Sequence, residues 1–379
     1  MARKILKAAG IFITILVSLV YLVASVAGYF PPAKFPWLTL FSTFYLPVLI
    51  VFVFIVVTWF FVRRKTGLLL LLLLLPGFKA LFSTVGLHVF RPSWQWKKEP
   101  GTVRIMCWNI NRMGSAYLNA DTPGSRRRAA LAFIEKVNPD ILCLQDFAQD
   151  ERLVDGRDYF VNNINSVIAA GGFTGYHYLY HFEYNGPSYC DMIGPAIFSR
   201  FPITDTGSFH KNGALPMERF GFADILIAGK KLRVFSTHLS SMSLWPNTGE
   251  ESGIRYLEGD STRIKAKNIF SRIIQFGQYH AREAEVVRQV VQQSPLPVLF
   301  SADLNSVPGG YVYRRVKGDL NDAFLQNDFG IGGTYNRVFP KLRIDVLFHS
   351  DSIDILQYTR PATDLSDHYP IIADFKWKE

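Results

Sequence analysis

The chain has 379 residues, of which 49% are apolar, with 41 Lys and Arg against 31 Asp and Glu, a formal charge of +10. That is too apolar for a disordered chain and long enough for more than one core. Three cysteines, Cys107, Cys143 and Cys190, an odd number with no CxxC pair, exclude a disulfide framework and a zinc knuckle.

The charge is unevenly spread. Residues 1–90 hold no Asp or Glu and 8 Lys or Arg, which leaves 33 basic and 31 acidic residues in 91–379. The pI of 9.4 therefore belongs to the N-terminal segment and gives no argument for a nucleic-acid groove. That segment carries three apolar runs, 11–30, 37–62 and 68–89, each near the roughly 20 residues a helix needs to cross a hydrocarbon core. Pro76 and Lys79 interrupt the third. A cleavable signal peptide would explain only the first run. Arg3, Lys4 and Lys7 precede the first run, and Arg63, Arg64 and Lys65 follow the second. The positive-inside rule puts both clusters in the cytoplasm. Three spans then place the rest of the chain, from about residue 91, outside the cytoplasm; two spans would reverse this. Residues 91–101 (RPSWQWKKEPG) read as a linker whose aromatic and basic residues suit a headgroup interface, and 102–379 as one catalytic domain.

In the polar region, 103–109 reads as a strand, 126–137 as a helix ended by Pro139, and 141–144 as a buried strand. Further strands are expected at 196–198, 223–227 and 232–237. A long polar stretch at 240–280 includes Trp245, Pro246, Glu250 and Glu251; a connection of that length bears on substrate access or is a surface excursion. A helix at 281–292 follows, then strands at 297–301, 344–348 and 369–375. Strands alternating with helices predict a layered α/β sandwich.

Polar groups gather where these strands end. Asn109 and Asn111 follow the first strand, and Gln145 and Asp146 the second. His238 follows LRVFST, and Asp303 and Asn305 follow PVLFS. Asp345 opens a strand, and Asp367 and His368 precede the last one. Strand ends of a layered sheet converge on one rim, where ligand sites form. Carboxylate and amide oxygens suit a hard cation, Mg²⁺ or Mn²⁺, which polarises a phosphoryl oxygen; His and Asp can move the protons. No Walker loop and no GxSxG nucleophile elbow is present.

Seven segments in order, CWNIN at 107–111, PDILCLQD at 139–146, GPAIFSRFPI at 194–203, STHL at 236–239, SADLNSVP at 301–308, RIDVLFHS at 343–350 and SDHYP at 366–370, resemble the endonuclease/exonuclease/phosphatase superfamily over about 102–379. The resemblance implies a deoxyribonuclease-like, four-layered α/β sandwich that hydrolyses phosphoesters by metal-assisted in-line attack of water. It implies that His368 and Asp345 form a pair acting as general base or as stabiliser of the phosphoryl transition state. Asp303 would handle the proton of the attacking water or of the leaving group, Asn305 would hold a phosphate oxygen, and His238 would contact the phosphate. Asp146, Asn109 and Asp367 match the metal site, and Asn111 lies where some members carry an aspartate. The usual glutamate after LCLQ is Asp146 here, one methylene shorter.

The expected function is thus a membrane-tethered, divalent-metal phosphoesterase or phosphodiesterase. Its substrate would be nucleic acid, a phospholipid or a small phosphoester, with no obligate protein partner implied. The competing reading, supported only by Asp146, is a weak or inactive membrane-bound binding protein that keeps the fold. His177, His181, His210, His280 and His349 read as surface or local structure, Arg126 to Arg128 as a solvated helical turn, and Asp322 and Tyr335 as structural. The cysteines read as small buried hydrophobes; a Cys107–Cys143 bridge would require their strands to be neighbours.

Overall fold

A computed structural model describes residues 2–90, 93–114, 125–154, 158–184, 190–209, 220–241 and 262–378. The chain divides into two compact units, one of residues 1–85, 242–285 and 306–316, the other of 86–241, 286–305 and 317–379. Trp245, Pro246, Glu250, Glu251 and His210 lie outside the described residues.

The first unit contains α1 (Ala2–Ala27), α2 (Leu38–Thr43), α3 (Tyr45–Val62), α4 (Arg64–Leu72) and α5 (Phe78–Thr84). Three stretches, Lys4–Ala27, Tyr45–Val62 and Arg64–Thr84, are long and apolar enough to cross a membrane. The third is broken by a 3-10 turn at Leu75–Gly77, where Pro76 removes a donor from the helical ladder. Neighbouring helices donate to carbonyls beside this break: the Tyr21 hydroxyl to the Leu74 carbonyl at 3.1 Å, and the Tyr45 hydroxyl to the Gly77 carbonyl at 2.8 Å. A β-carbon at Gly77 would collide with the Tyr21 hydroxyl, so this approach requires glycine. Tyr21 also stacks on Phe52 with ring centroids 4.4 Å apart, and the Trp59 indole donates to Thr14 Oγ1 at 2.7 Å.

The second unit is built on two sheets. Its strands include β1 (Val103–Asn109), β2 (Ile141–Ala148), β3 (Gly175–Tyr178), β4 (His181–Tyr184), β5 (Cys190–Ser199), β6 (Ile203–Ser208) and β7 (Phe220–Ile227). They continue with β8 (Lys230–His238), β9 (Val298–Asp303), β10 (Asn321–Asp322), β11 (Asp345–His349), β12 (Ile353–Thr359) and β13 (Ile371–Trp377). One sheet runs β12-β13-β1-β2-β5-β3, with β4 also paired to β5; the other runs β10-β11-β9-β8-β7-β6. Alternate residues of each strand face opposite ways. Ile105, Cys107, Ile141, Cys143 and Ile197 of the first sheet share a core with Ala223, Ile225, Leu232, Val234, Leu299 and Leu347 of the second. Met106, Trp108, Leu142, Leu144 and Phe198 turn the other way, onto α6 (Ser125–Val137) and α7 (Asn163–Gly171) through Ile134, Val137, Ile164 and Val167. This is the mixed α/β sandwich that the sequence predicts.

The predicted strands are present; 103–109 keeps its bounds, and the others are lengthened or shifted by a few residues. Strands β3, β6 and β12 were not expected. They are edge strands, whose weaker burial leaves no apolar run to read; Ile203–Ser208 has the sequence ITDTGS. Cys107 and Cys143 are register partners on neighbouring parallel strands, yet both are free thiols. Hydrogen bonding to Cys107 and burial push the Cys143 thiol well above its ordinary range, so both behave as buried hydrophobes. His280 and His349 are not surface residues: each is buried, and His349 Nε2 meets Gln326 Oε1 at 2.8 Å.

The linker is tied to the second unit instead of hanging free. Arg104 is 1% exposed and pairs with its cross-strand partner Asp374 through two bonds of 2.7 and 2.8 Å. The same guanidinium donates to the Trp96 and Val137 carbonyls and lies 4.8 Å from the Trp94 ring centroid. Lys98 Nζ binds both oxygens of Asp140. Trp94 thus packs against protein, while Trp96 remains 46% exposed. Arg127, expected to be a solvated residue, donates to Asn163 Oδ1 and ties α6 to α7.

Removing one member of a buried ion pair strands the other. Arg104→Met is expected to destabilise the chain by about 3–5 kcal/mol, and the double change with Asp374→Leu to recover most of that loss. Urea unfolding of the detergent-solubilised full chain measures both; equal losses in single and double variants would contradict the assignment.

Candidate active site

The strand register assembles the site. In the second sheet His238 pairs with Asp303 across β8 and β9, and Asp303 with Asp345 across β9 and β11, so the three lie side by side on one rung. In the first sheet Asn109, at the end of β1, pairs with Gln145 within β2. His368 arrives on the loop before β13, held by a bridge to Tyr335 and by the Trp108 indole, which donates to its carbonyl at 3.0 Å.

The side chains form one connected network. His368 Nδ1 lies 2.8 Å from Asp345 Oδ2, and its Nε2 lies 3.7 Å from Asp303 Oδ2. His238 Nε2 approaches the same Asp303 oxygen at 3.6 Å. Asn109 Nδ2 donates to Asp303 Oδ2 at 2.9 Å, and Asn109 Oδ1 accepts from the Asn111 amide. Asn111 Nδ2 in turn donates to Asp367 Oδ1 at 2.9 Å. Asn305 donates its backbone N–H to Asp303 Oδ1 and its side-chain amide to the Leu239 carbonyl, each at 2.8 Å. Eight of the nine residues singled out from the sequence are therefore linked. The ninth, Asp146, sits half-buried at the irregularity in the β2–β5 pairing, and its carboxylate accepts no hydrogen bond among the described residues.

Three of the nine site residues have left-handed backbone: Asn111 (φ 45°), Asp146 (φ 48°) and Asn305 (φ 45°). Asn and Asp are the non-glycine residues that tolerate this region best. The register irregularity between Leu144 and Phe147 falls at Asp146, and β-bulges recur beside active sites.

Three further residues belong to the site. Gln145, 1% exposed, donates from β2 to Ser301 Oγ at 3.0 Å and approaches Ser236 Oγ at 3.3 Å, joining the two sheets beneath the rim. The Ser366 hydroxyl donates to the Asn109 carbonyl at 2.8 Å and accepts from the His368 N–H. Tyr335, read from the sequence as structural, holds its ring 5.0 Å from that of His368. Gln145 and Ser366 stood within quoted motifs without an assigned role; Tyr335 lay outside all of them. Asp322 is structural as expected, capping α10 (Ala323–Asn327) and pairing with buried Arg343.

Charge balance governs the titration. Burial opposes a charge on His368, but Asp345, Asp303 and Asp367 outweigh it, and the imidazole is pushed up to about 10. Burial, followed by the adjacent Asp345 charge, raises the Asp303 carboxyl above its ordinary range. Asp303, Asp345 and His368 are all buried and offer ligand atoms within 4.8 Å of one another. The donor set is dominated by carboxylate and amide oxygens. Asp345 Oδ1 is buried with no hydrogen-bond donor, and the Asp146 carboxylate is unclaimed among the described residues. These oxygens fit a hard divalent cation.

The chain belongs to the endonuclease/exonuclease/phosphatase family, whose model matches residues 106–368. A second family model, described as a domain of unknown function, matches residues 3–84. Among solved structures, the chain is similar to the human Nocturnin catalytic domain with bound sulfate, at 17% identity over 73% of this chain and 94% of that one, with TM-score 0.46. It is also similar to a family protein from Bacteroides thetaiotaomicron, at 18% identity over 74% and 100% of the two chains, TM-score 0.45. Truncated TDP2 from Caenorhabditis elegans aligns at 22% identity over 73% and 98%, TM-score 0.42. A search of curated protein sequences found no match. Members of the family act on phosphodiester bonds and generally use divalent metals.

The raised imidazole sets a pH signature. A His368 value lifted from 6.5 to about 10 contributes stability that is fully present below 6.5 and lost as pH rises through 10. The unfolding midpoint of the metal-free chain should therefore fall between pH 7 and 10, and His368→Gln should flatten that fall. Parallel profiles for the two proteins would show that His368 is neutral throughout.

Proposed function

We propose that the chain is a divalent-metal-dependent phosphodiesterase tethered to a membrane, with residues 1–90 as anchor, 91–101 as linker and 102–379 as catalytic domain. The observation that carries the chemistry is the buried Asp303–Asp345–His368 group, assembled from both sheets and joined by Asn109 and Asn111 to Asp367. Asp146, Asn109, Asp367 and Asn111 would hold Mg²⁺ or Mn²⁺. The bound ion would polarise a phosphoryl oxygen and steady the leaving oxygen.

The protein's own groups divide the remaining work. Asp303, with its raised carboxyl, takes the proton of the attacking water or returns one to the leaving group. His368 stays protonated at neutral pH and, oriented by Asp345, presents positive charge to the phosphoryl oxygens; this supports the stabiliser over the general-base role. His238 contacts the phosphate from the other side of Asp303. The second amide hydrogen of Asn305 addresses a phosphate oxygen.

Membrane tethering is supported by the three apolar stretches and by their outward side chains. Leu6, Phe54, Phe61 and Leu69 are all largely exposed, which water does not favour and lipid does. The two basic clusters fall at the start of α1 and between α3 and α4, the same end of an alternating bundle. With that end cytoplasmic, the catalytic domain lies outside the cytoplasm.

The test uses the full chain in detergent with bis(p-nitrophenyl) phosphate. Turnover should require Mg²⁺ or Mn²⁺, stop with EDTA, and fall by at least about a hundredfold in Asp303→Asn and His368→Gln. Metal-independent turnover, or none in any metal, would reject the reading. Asp146→Asn removes one negative charge and should raise the half-saturating Mg²⁺ concentration by about tenfold; an unchanged metal requirement would remove Asp146 from the ligand set.

A further inference from the structure

One residue beyond Asn305 the chain enters the helical unit, and there it carries a guanidinium whose charge no described residue answers. Residues 306–316 pack against one end of the bundle. The Ser83 hydroxyl approaches the Pro308 carbonyl at 3.4 Å, and Gly309 sits against Ser42 and Tyr45. A β-carbon at Gly28 would collide with the Gly309 carbonyl, so this contact too requires glycine. Gly28 follows α1, Ser42 lies in the last turn of α2, and Ser83 in that of α5. All three mark the end of the bundle opposite the basic clusters.

Arg314 lies on α9 (Tyr311–Lys317) within this segment, its guanidinium carbon 3.8 Å from the Tyr29 ring centroid. Its Nε and Nη2 are buried and have no hydrogen-bond partner among the described residues. The nearby carboxylate is already committed: Glu285 of α8 (Thr262–Gln292) binds Arg315 at 2.6 Å and also the Tyr311 hydroxyl. Residues 1–90 contain no acid to replace it. A desolvated guanidinium needs acceptor oxygens as well as an aromatic face. Arg314 as a whole is half-buried, and with Nε and Nη2 buried the guanidinium is open to an outside group at its Nη1 edge.

We propose that Arg314 and Tyr29 form a binding site for the phosphate of a phospholipid headgroup, one that fixes residues 306–316 at the bilayer surface. This rests on the membrane placement proposed above. A phosphate offers paired acceptor oxygens that match the guanidinium fork, and Tyr beside Arg at the end of a spanning helix is interfacial chemistry. The site is separate from the catalytic rung and takes no part in bond cleavage.

The experiment uses the full chain in dodecylmaltoside, with dihexanoylphosphatidylglycerol as probe and the rise in unfolding midpoint as readout. Wild type should bind the lipid; Arg314→Gln should bind it about tenfold more weakly, the loss of one charge-assisted hydrogen bond. Arg315→Gln, whose partner is Glu285, should bind as wild type does. Tyr29→Leu repeats the comparison should Arg314→Gln not fold, and should also weaken binding. Equal affinity in wild type and both Arg314→Gln and Tyr29→Leu would overturn the site. An equal shift from inorganic phosphate alone would overturn the lipid assignment. Release of the chain from membranes by alkaline carbonate would instead overturn the anchor itself, whatever the lipid titration shows.

Discussion

The site depends on a pair of carboxylates that the sheet register forces together. Asp303 and Asp345 face each other across two antiparallel strands in a sheet interior, each with almost no contact with water. Two like charges there would be costly. Four other groups answer that cost: the His368 and His238 imidazoles, the Asn109 amide and the Asn305 backbone N–H. They come from β1, β8, the turn after β9 and the loop before β13. The demand for charge compensation therefore requires both sheets to close over the same rung. Gln145, bonded to Ser301 and approaching Ser236 between the sheets, holds that closure from below.

Backbone conformation adds a second constraint. Asn111 and Asn305 adopt a left-handed conformation two residues beyond a strand end, and Asp146 does so at the irregularity within β2. Longer side chains without a carbonyl close to the backbone are disfavoured there. At residue 146 this bears on the departure from the family's glutamate. The strand breaks its register between Leu144 and Phe147, and an aspartate is the acidic residue that such backbone accepts at least strain. The shorter carboxylate and the irregular backbone are thus features of one local arrangement, and the carboxylate is left without a competing donor among the described residues.

How much of this was legible depended on where each residue sits. Central strands such as β1, β2, β8 and β9 are buried on both faces and read as apolar runs, so the polar residues at their ends stood out. Asp303, Asp345, His238 and His368 were found that way, and the ordered motifs confirmed their grouping. Edge strands left no such trace. Tyr335 and Ser366 act through a ring contact and a hydroxyl, features that chain spacing does not encode. The contacts of the linker were hidden for a related reason. Tryptophan beside lysine has the composition of a membrane interface, but the buried Arg104–Asp374 pair turns Trp94 inward and takes the Trp96 carbonyl. Burial of one arginine in β1, invisible in composition, decided the fate of residues ten positions away.

The N-terminal helices were legible as apolar runs, but their role in the rest of the chain was not. Composition suggests a cable: spans first, enzyme afterwards. The contacts describe something else, because residues 306–316 and part of α8 belong to the helical unit. The Pro308 carbonyl faces the Ser83 hydroxyl, Gly309 packs on Ser42 and Tyr45, and Arg314 lies over Tyr29. Stripping away the helices would expose those surfaces and leave Arg314 without its aromatic face, in the segment directly following Asn305. The Tyr21 and Tyr45 hydroxyls that donate beside the break at Pro76 maintain the bundle on which this segment rests. The helices consequently act as a folded partner for part of the polar sequence, an eleven-residue stretch that begins one residue beyond Asn305.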